Sequence, residues 1–294
     1  MTTLLLFSLS AFAIRPEVAV VVSDDLEPYE APVAAFKEAL GVPVQTINLH
    51  GREIEAEVEM AALRQANPKV VFAIGAKAAY AARFRLPSTP LVYAQVHDPE
   101  RYGIRGNQTT GVHAKVPAVT YLSQVQSFFP GVRSIGILRG PMDADERSAL
   151  EAASQEVGIE LQVREVSSPR DFRKAFNQLV DDVDAIWLSP DREVLSPEAF
   201  RTAVQEMRRR QKPLLSDTAN MVSAGAAFAV TPDTAGVGRQ AAEIAARILD
   251  GAAPAVIDVQ DPLELSTALN KRTLEAGTIA YEPLMLDFAN LIVE

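Results

Sequence analysis

The chain has 294 residues, enough for two hydrophobic cores, and its formal net charge is −10 at pH 7. This charge disfavours a nucleic-acid partner, whose phosphates require a basic surface. The sequence contains no cysteine, which excludes disulfides, thiolate nucleophiles and cysteine metal sites. The three histidines lack a paired spacing such as His-Glu-x-x-His, so the sequence predicts no metal site.

The first 13 residues have the pattern of an export signal. A short apolar stretch begins at Leu4, and Ala11-Phe12-Ala13 follows as a small-x-small cleavage pattern. The stretch has no Lys or Arg before it and is too short to span a bilayer. We therefore predict a signal peptide over residues 1–13 and a periplasmic or otherwise exported protein. The alternative interpretation is a frayed apolar N-terminus or an additional strand.

Short apolar runs alternate with amphipathic helical segments along the rest of the chain. Runs of this length are typical of parallel strands that are buried on both faces. The predicted strands are Val18–Val22, Val44–Ile47, Val70–Ile74, Leu91–Ala94, Ser134–Leu138, Leu161–Val166, Ala185–Leu188, Leu214–Leu215, Ala226–Val230 and Ile257–Val259. The alternation predicts a doubly wound α/β fold, in which ligands bind beyond the carboxyl ends of the strands.

Helix boundary signals agree with this alternation. Asp143 with Glu146 three residues later has the spacing of a capping box. Ser168-Pro169 and Ser196-Pro197 each combine an N-cap residue with proline at the first helical position. Asp233 precedes a long apolar-striped helix that ends at Gly251.

The order of the predicted elements indicates two lobes. The Gly- and Asn-containing segment Tyr102–Thr110 has the composition of a loop between domains, and the strand–helix pattern restarts after it. Further elements follow Asp233, so we expect the chain to cross back. We predict two Rossmann-like lobes with parallel sheets, joined by a multi-crossover hinge that lets them close on a ligand. The predicted lobes are residues 14–115 with 232–262, and residues 116–231 with 263–294.

Polar residues follow the carboxyl ends of several predicted strands. Carboxylates there could bind an amine, and small residues would let a helix N-terminus approach a carboxylate or phosphate. The candidate ligand-binding residues are Ser23, Asp24, Gly75, Ala76, Lys77, Asp98, Ser189, Asp191, Asp217, Thr218 and Asp233. Helix capping is the alternative role for the Ser23 loop and for Asp233, and close helix–sheet packing is the alternative for Gly75.

Two other patterns are better explained by packing. Residues Gly236–Ala241 fit the dinucleotide pattern G-x-G-x-x-A, and Asp258 lies at a suitable distance. The glycines follow the expected cap at Asp233, however, so they would lie inside a helix and allow it to pack closely. Trp187 lies on a predicted strand and is interpreted as a core residue. The sequence contains no catalytic constellation, and it predicts neither an enzyme nor a cofactor.

The chain resembles a known family over roughly Val70 to Gly277. The similar segments, in order, are Ile74-Gly75-Ala76, Asp98-Pro99, Asn107–Val112, Pro130–Leu138, Ser216-Asp217-Thr218, Gly225-Ala226, Asp233, Gly238–Ala242, Ala245–Gly251 and Leu269–Lys271. Their order and spacing resemble those of periplasmic substrate-binding proteins of ABC transporters of the tryptophan/tyrosine type. The resemblance implies a type-I periplasmic-binding fold and ligand residues in the loops named above.

The resemblance also implies a function. It implies a monomeric periplasmic protein that binds a small polar, amino-acid-like ligand between its lobes and delivers it to an ABC permease. The family often has aromatic residues just after the late aspartate, where this chain has Thr234 and Ala235. The resemblance alone therefore does not imply an aromatic ligand. A ligand-sensing module of the same fold that serves a signalling receptor is the alternative, and an enzyme is less favoured.

Overall fold

The computed structural model describes residues 17–191 and 193–294, so the predicted signal peptide lies outside the described residues. The chain forms two compact units. Within the described residues, the first unit comprises residues 17–114 and the segment Thr234–Gln260. The second takes Lys115–Asp233 and Asp261–Glu294. The chain therefore passes from one unit to the other after Ala114, after Asp233 and after Gln260.

A parallel five-stranded sheet forms the centre of the first unit, in the order β2-β1-β3-β4-β5. Its strands are β1 (Val18–Val22), β2 (Val44–Asn48), β3 (Val70–Ile74), β4 (Leu91–Ala94) and β5 (Thr109–Gly111). The helices of this unit are α1 (Glu30–Leu40), α2 (Glu53–Ala66), α3 (Ala76–Arg85) and α9 (Thr234–Leu249).

Helices cover both faces of this sheet. Val18 and Val20 of β1 belong to one apolar cluster, which includes residues of α1 and α9. Ala19 and Val21 alternate with them and belong to the opposite cluster, which includes residues of α2 and α3. Because successive side chains of a strand point to opposite faces, a central strand covered on both faces must be apolar throughout.

A seven-stranded sheet forms the centre of the second unit, in the order β12-β11-β10-β9-β8-β6-β7. The pairings are parallel except that between β10 and β11. The strands are β6 (Ser134–Arg139), β7 (Glu160–Glu165), β8 (Ala185–Leu188), β9 (Leu214–Ser216), β10 (Phe228–Pro232), β11 (Leu265–Asn270) and β12 (Leu291–Val293).

The second sheet is also covered on both faces. Its helices are α4 (Ala118–Phe128), α5 (Ala144–Val157), α6 (Pro169–Leu179), α7 (Pro197–Arg209), α8 (Ala219–Ser223) and α10 (Lys271–Gly277). Residues of α4 and α5 belong to the apolar cluster on one face, and residues of α6 and α7 belong to that on the other. The predicted α/β class with two parallel-sheet lobes is confirmed, apart from the antiparallel β11.

Three predicted helix caps are confirmed. The Asp143 carboxylate accepts a hydrogen bond from the Glu146 amide at 2.8 Å. The Ser168 hydroxyl accepts from the Asp171 amide at 3.2 Å, and the Ser196 hydroxyl from the Ala199 amide at 3.1 Å. Each cap satisfies an N–H group that has no partner inside its helix.

Some predicted elements are wrong or incomplete. Ile257–Val259 is not a strand, because the chain forms a 3-10 turn at Pro254–Val256 and Ile257 then enters an apolar cluster. The segment Tyr102–Thr110 is not loop throughout, since Thr109 begins β5, which pairs with β4. The sequence did not predict β11 or β12.

The glycine pattern lies inside α9, as expected. A Cβ atom added to Gly238 would lie 2.2 Å from the carbonyl oxygen of Pro32 in α1. The glycine therefore allows close approach of two helix backbones and does not form the strand–helix turn that a dinucleotide requires. Over residues 17–191 and 193–294, none of the helices has the length and apolarity needed to cross a membrane.

Candidate functional site

Ser23, Gly75 and the start of α3 lie together at the carboxyl end of the first sheet. Gly75 precedes α3 with φ +82°, a conformation that favours glycine. A Cβ atom there would lie 2.7 Å from the Ser23 hydroxyl oxygen. The buried Ser23 hydroxyl accepts a hydrogen bond from the Ala78 amide at 2.9 Å. Ser23 therefore binds the first turn of α3, to which Ala76 and Lys77 also belong.

Asp24 lies in the same region. Its carboxylate accepts from the Asp25 amide at 2.9 Å, and Lys77 Nζ donates to the carbonyl of Gly51 at 2.9 Å. A Cβ atom on Gly51 would approach both the Asp24 carboxylate and Lys77 Nζ, so these two groups flank one glycine. A surface pocket of about 450 Å³ lies beside Asp24, and its lining includes Val22, Asp24, Leu26, Tyr29, Lys37 and Asn48.

Asp98 follows β4 in a separate loop. It is exposed, it has φ +55°, and its carboxylate accepts from the Arg101 amide at 3.3 Å. This contact is local to the turn, and aspartate tolerates the left-handed conformation better than most residues do. The geometry is that of a turn residue whose carboxylate remains accessible to solvent.

Asp217 is a carboxylate held by two side chains at the carboxyl end of the second sheet. It directly follows β9 and is partly buried. Trp187 Nε1 donates to its Oδ1 at 2.5 Å, and the Ser189 hydroxyl donates to its Oδ2. Trp187 and Ser189 are two residues apart, so they point to the same side of β8. Two neighbouring strand ends therefore hold one carboxylate.

Burial raises the pKa of Asp217 above its usual value. The hydrogen bonds from Ser189 and Trp187 oppose this increase, as do the positive charges of Lys115 and Arg139, but the net pKa stays raised. The hydrogen bonds and positive charges therefore offset only part of the free-energy cost of burying the charged Asp217 carboxylate. An additional cation beside it would favour its charged form.

Tyr121 of α4 lies behind this group. Its ring stacks on that of Trp187, with centroids 4.0 Å apart and planes 3° apart. The Tyr121 hydroxyl donates to the carbonyl of Ser216 at 2.9 Å. Burial, with the Asp217 charge in addition, raises the pKa of Tyr121 well above 10, so the phenol remains neutral. Tyr121 thus fixes both the indole ring and the end of β9.

A second ionic group surrounds Glu146. Arg139 ends β6 and donates from both terminal nitrogens to the two Glu146 oxygens, at 2.8 and 2.9 Å. Lys115 Nζ lies 3.0 Å from the same carboxylate. Burial raises the pKa of Glu146, but these hydrogen bonds and charges outweigh it and hold the pKa below its usual value. The charges of Lys115 and Arg139 also act on Asp217, whose pKa they lower.

We expect Glu146→Gln to destabilise the protein by about 1–2 kcal/mol at pH 7, because it weakens a bidentate pair and leaves Arg139 without a charged partner. The pKa of Glu146 is lowered on folding, so its contribution is present above the unfolded pKa of about 4.3 and is lost as the pH falls through the folded value. Urea unfolding should therefore show that the variant's loss of unfolding free energy relative to wild type is smaller at pH 3.5 than at pH 7.

Glu151→Gln is the control, because Glu151 is exposed on the same helix, α5. We expect this variant to unfold like wild type at both pH values. An equal destabilisation by Glu146→Gln at both pH values would contradict the electrostatic explanation.

Three further predicted site residues have contacts with backbone groups. The Asp191 carboxylate accepts from the Glu193 amide at 2.9 Å and lies close to Gly140 at the end of β6. The Thr218 hydroxyl caps α8 by accepting from the Met221 amide at 3.3 Å. The Asp233 amide donates to the carbonyl of Glu264 at 2.9 Å, directly before α9.

The structure thus brings Ser23, Asp24 and Gly75–Lys77 together in the first unit, and Ser189 and Asp217 in the second. No described contact decides whether these residues bind a ligand, so that role stays a prediction. Sequence reasoning missed Tyr121, Lys115 and Glu146 as neighbours of the site. Arg139 directly follows the predicted strand Ser134–Leu138, which was a usable signal. Over residues 17–191 and 193–294, no three His, Asp or Glu side chains are grouped as metal ligands.

Comparison with known proteins gives a consistent result. The model of the family described as "ABC transporter substrate binding protein" matches residues 38–292. The chain is 21% identical over 216 residues to the "Tyrosine-binding protein" of Clostridioides difficile, a match that covers 70% of this chain and 62% of that relative. The matched region is therefore less than two thirds of the relative's length.

Two solved structures have the same fold over almost their whole length. One is the ligand-free, open structure of a substrate-binding protein with adhesive properties from Clostridium difficile, with TM-score 0.77, 16% identity, and coverage of 94% of this chain and 98% of that one. The other is an ABC domain in complex with L-Trp from Streptococcus pneumonia, with TM-score 0.62, 19% identity, and coverage of 94% and 99%. The family match spans most of the chain, so this protein belongs to the ABC transporter substrate-binding protein family.

Proposed function

We propose that this protein is the substrate-binding component of an ABC transporter and that its ligand is a small molecule with an ammonium and a carboxylate group, such as an amino acid. The family match over residues 38–292 is the observation that carries this proposal. The names of the two relatives, one tyrosine-binding and one in complex with L-Trp, favour an amino acid. Binding without catalysis, export, and delivery to a membrane permease are parts of the same proposal.

The ammonium group is proposed to bind the aspartates that follow the strands, and Asp217 in particular. Trp187 and Ser189 hold both of its oxygens, so little ordering is required when a cation binds. Each carboxylate oxygen can accept more than one hydrogen bond, so an ammonium can join these two donors. Asp98 and Asp233 are the other proposed ammonium partners. Thr218 directly follows Asp217 in the chain, and Asp191 lies two residues after Ser189.

The ligand carboxylate is proposed to bind the N-terminus of α3. The first N–H groups of a helix have no partner inside it, and the helix dipole favours an anion there. Ser23 binds the amide of Ala78, and the amides of Ala76 and Lys77 belong to the same turn. Gly75 contributes no side chain at this point, and the hydroxyl groups of Tyr29 and Ser23 lie close to where its Cβ would be.

The topology of the two sheets supports a proposal for the location of the ligand. In parallel sheets ligands bind beyond the carboxyl ends of the strands, and the candidate groups of both units lie at such ends. We propose that one ligand is held by the groups of both units and that the units close on it. The three chain passages, after Ala114, Asp233 and Gln260, are the segments about which this closure would occur.

Isothermal titration calorimetry with L-tyrosine and L-tryptophan tests the proposal. We expect saturable 1:1 binding of at least one of them, with a higher melting temperature at saturation because the ligand binds only the folded state. 3-(4-Hydroxyphenyl)propanoate lacks the ammonium and tyramine lacks the carboxylate, and each should bind at least about tenfold more weakly than L-tyrosine.

5-Methylthioribose serves as a control of different chemistry, because a solute-binding protein from Thermotoga lettingae was solved in complex with it and has a TM-score of 0.51 to this chain. Binding of this sugar derivative, together with no binding of L-tyrosine or L-tryptophan, would overturn the amino-acid proposal while leaving family membership intact.

A further inference from the structure

The indole ring of Trp187 is partly exposed and stacks on the ring of Tyr121. It lies on β8 between Ile186 and Leu188, which are fully buried, whereas Trp187 itself is partly exposed. One face of its indole ring is covered by Tyr121 at a centroid distance of 4.0 Å and with nearly parallel planes. Tyr121 is in turn fully buried and fixed by its hydrogen bond to Ser216. The indole is therefore rigidly supported from one side.

The polar edge of the same indole faces the candidate site. Its Nε1 donates to Asp217, whose other oxygen accepts from Ser189, so the ring plane has a fixed orientation relative to this carboxylate. The ring stands at the carboxyl end of the sheet, where ligands of this architecture bind. A planar group that lies beside Asp217 would thus meet a supported aromatic surface.

We propose that Trp187, backed by Tyr121, forms an aromatic surface on which a planar ligand group stacks, and that this surface makes the site select aromatic over aliphatic amino acids. The inference rests on the proposed function, because it needs an amino acid whose ammonium lies at Asp217. It assigns the aromatic contact to β8, whereas the residues that follow Asp233, where the family often has aromatic residues, are Thr234 and Ala235 in this chain.

The chemistry of the contact explains the expected selectivity. Two aromatic rings in offset or edge-to-face contact gain attraction beyond the area that they bury, because their quadrupoles are complementary. A saturated ring of nearly the same size buries similar area but lacks this interaction. Trp187 is only partly buried, and its support by Tyr121 limits the entropy lost when a ligand ring stacks on it.

The test compares L-phenylalanine with β-cyclohexyl-L-alanine, which has the same charged groups and a saturated ring. We expect wild type and Trp187→Phe to prefer L-phenylalanine by about tenfold in calorimetry, and Trp187→Leu to lose most of this preference. Trp187→Phe is the matched control, because it removes the hydrogen bond to Asp217 but keeps an aromatic ring. The melting temperature of each variant is measured in parallel.

The protein itself supplies a second readout. Trp187 is its single tryptophan, so emission excited at 295 nm comes from this residue alone. We expect saturating L-phenylalanine, which does not absorb at that wavelength, to change the emission intensity or maximum, whereas the same concentration of L-leucine should change it less. Because this measurement uses wild type, it tests the proposed aromatic surface even if Trp187→Leu does not fold.

The outcomes separate the two proposals. An unaltered preference in Trp187→Leu, or unchanged emission while calorimetry shows L-phenylalanine bound, would overturn the aromatic surface and leave the binding function standing. Failure of wild type to bind any amino acid tested would overturn the proposed ligand class, and the aromatic surface with it.

Discussion

Gly238→Ala is expected to lower the free energy of unfolding of the first unit by about 2 kcal/mol. The new Cβ would lie 2.2 Å from the carbonyl oxygen of Pro32 and 2.8 Å from its Cα, so helices α1 and α9 would have to move apart. Overpacking typically costs about 1–3 kcal/mol, and this site lies at the upper end because the atoms that the Cβ would meet belong to the backbone and cannot rotate away. Replacing glycine by alanine in a helix interior gains roughly 1 kcal/mol, which offsets part of this overpacking cost.

The measurement uses the fact that the single tryptophan belongs to the second unit. Urea unfolding followed by far-ultraviolet circular dichroism reports both units, whereas Trp187 fluorescence reports the second. We expect the circular-dichroism transition to begin at lower urea concentration in the variant. A separate fluorescence transition would show that the two units unfold independently and must be fitted separately.

Gly131→Ala is the control, because a Cβ atom there meets nothing within 4 Å. This variant should unfold like wild type or at slightly higher urea concentration. If Gly238→Ala instead stabilises the protein by the amount expected from helix propensity alone, helices α1 and α9 can move apart at little cost in free energy. That result would also remove the packing explanation for the glycine pattern.

The sequence predicted the fold well where burial is continuous. A central strand such as β1 must be apolar on both faces, so its five consecutive apolar residues are a strong signal. Helix starts were also predictable, because the caps at Asp143, Ser168 and Ser196 act within three or four residues of the chain. Local signals of this kind do not depend on tertiary structure.

The missed strand β11 has a different physical basis. Two of its residues, Thr267 and Asn270, are polar and buried, and each donates a hydrogen bond to a distant segment of the chain. The Thr267 hydroxyl donates to the carbonyl of Phe288, and the Asn270 amide donates to that of Val222. A polar residue that is satisfied by tertiary contacts looks like a loop residue in the sequence.

The candidate site was predictable only in part, for a related reason. Residues at strand ends, such as Asp217 and Ser189, could be identified because the topology brings strand ends together. Tyr121 and Glu146 lie on helices, and the hydrogen bond from Tyr121 to Ser216 joins residues 95 positions apart. Nothing in the local sequence around a helical tyrosine indicates that it stacks on Trp187.

Asp217→Asn is expected to weaken binding of L-tyrosine by roughly 2 kcal/mol or more, which is about thirtyfold in Kd. An asparagine has the same shape, can accept the hydrogen bond from Trp187 and can donate one to the Ser189 hydroxyl, so the fold should tolerate it. What it lacks is the negative charge that attracts the ligand ammonium in a partly buried site.

The effect on stability should be small and opposite in sign to that on binding. The pKa of Asp217 is raised on folding, so the carboxyl contributes stability below its unfolded pKa, and this contribution is lost as the pH rises through the folded value. At pH 7 the charged side chain thus costs stability, and its removal should leave the melting temperature equal to or slightly above that of wild type.

Two controls make this result specific. Asp182→Asn removes one negative charge from an exposed position of the same unit and should bind L-tyrosine like wild type. Asp217→Asn should leave the affinity for 3-(4-hydroxyphenyl)propanoate nearly unaltered, because this ligand has no ammonium to lose its partner. Equal affinity of wild type and Asp217→Asn for L-tyrosine would remove Asp217 from the site and leave Asp98 and Asp233 as the proposed ammonium partners.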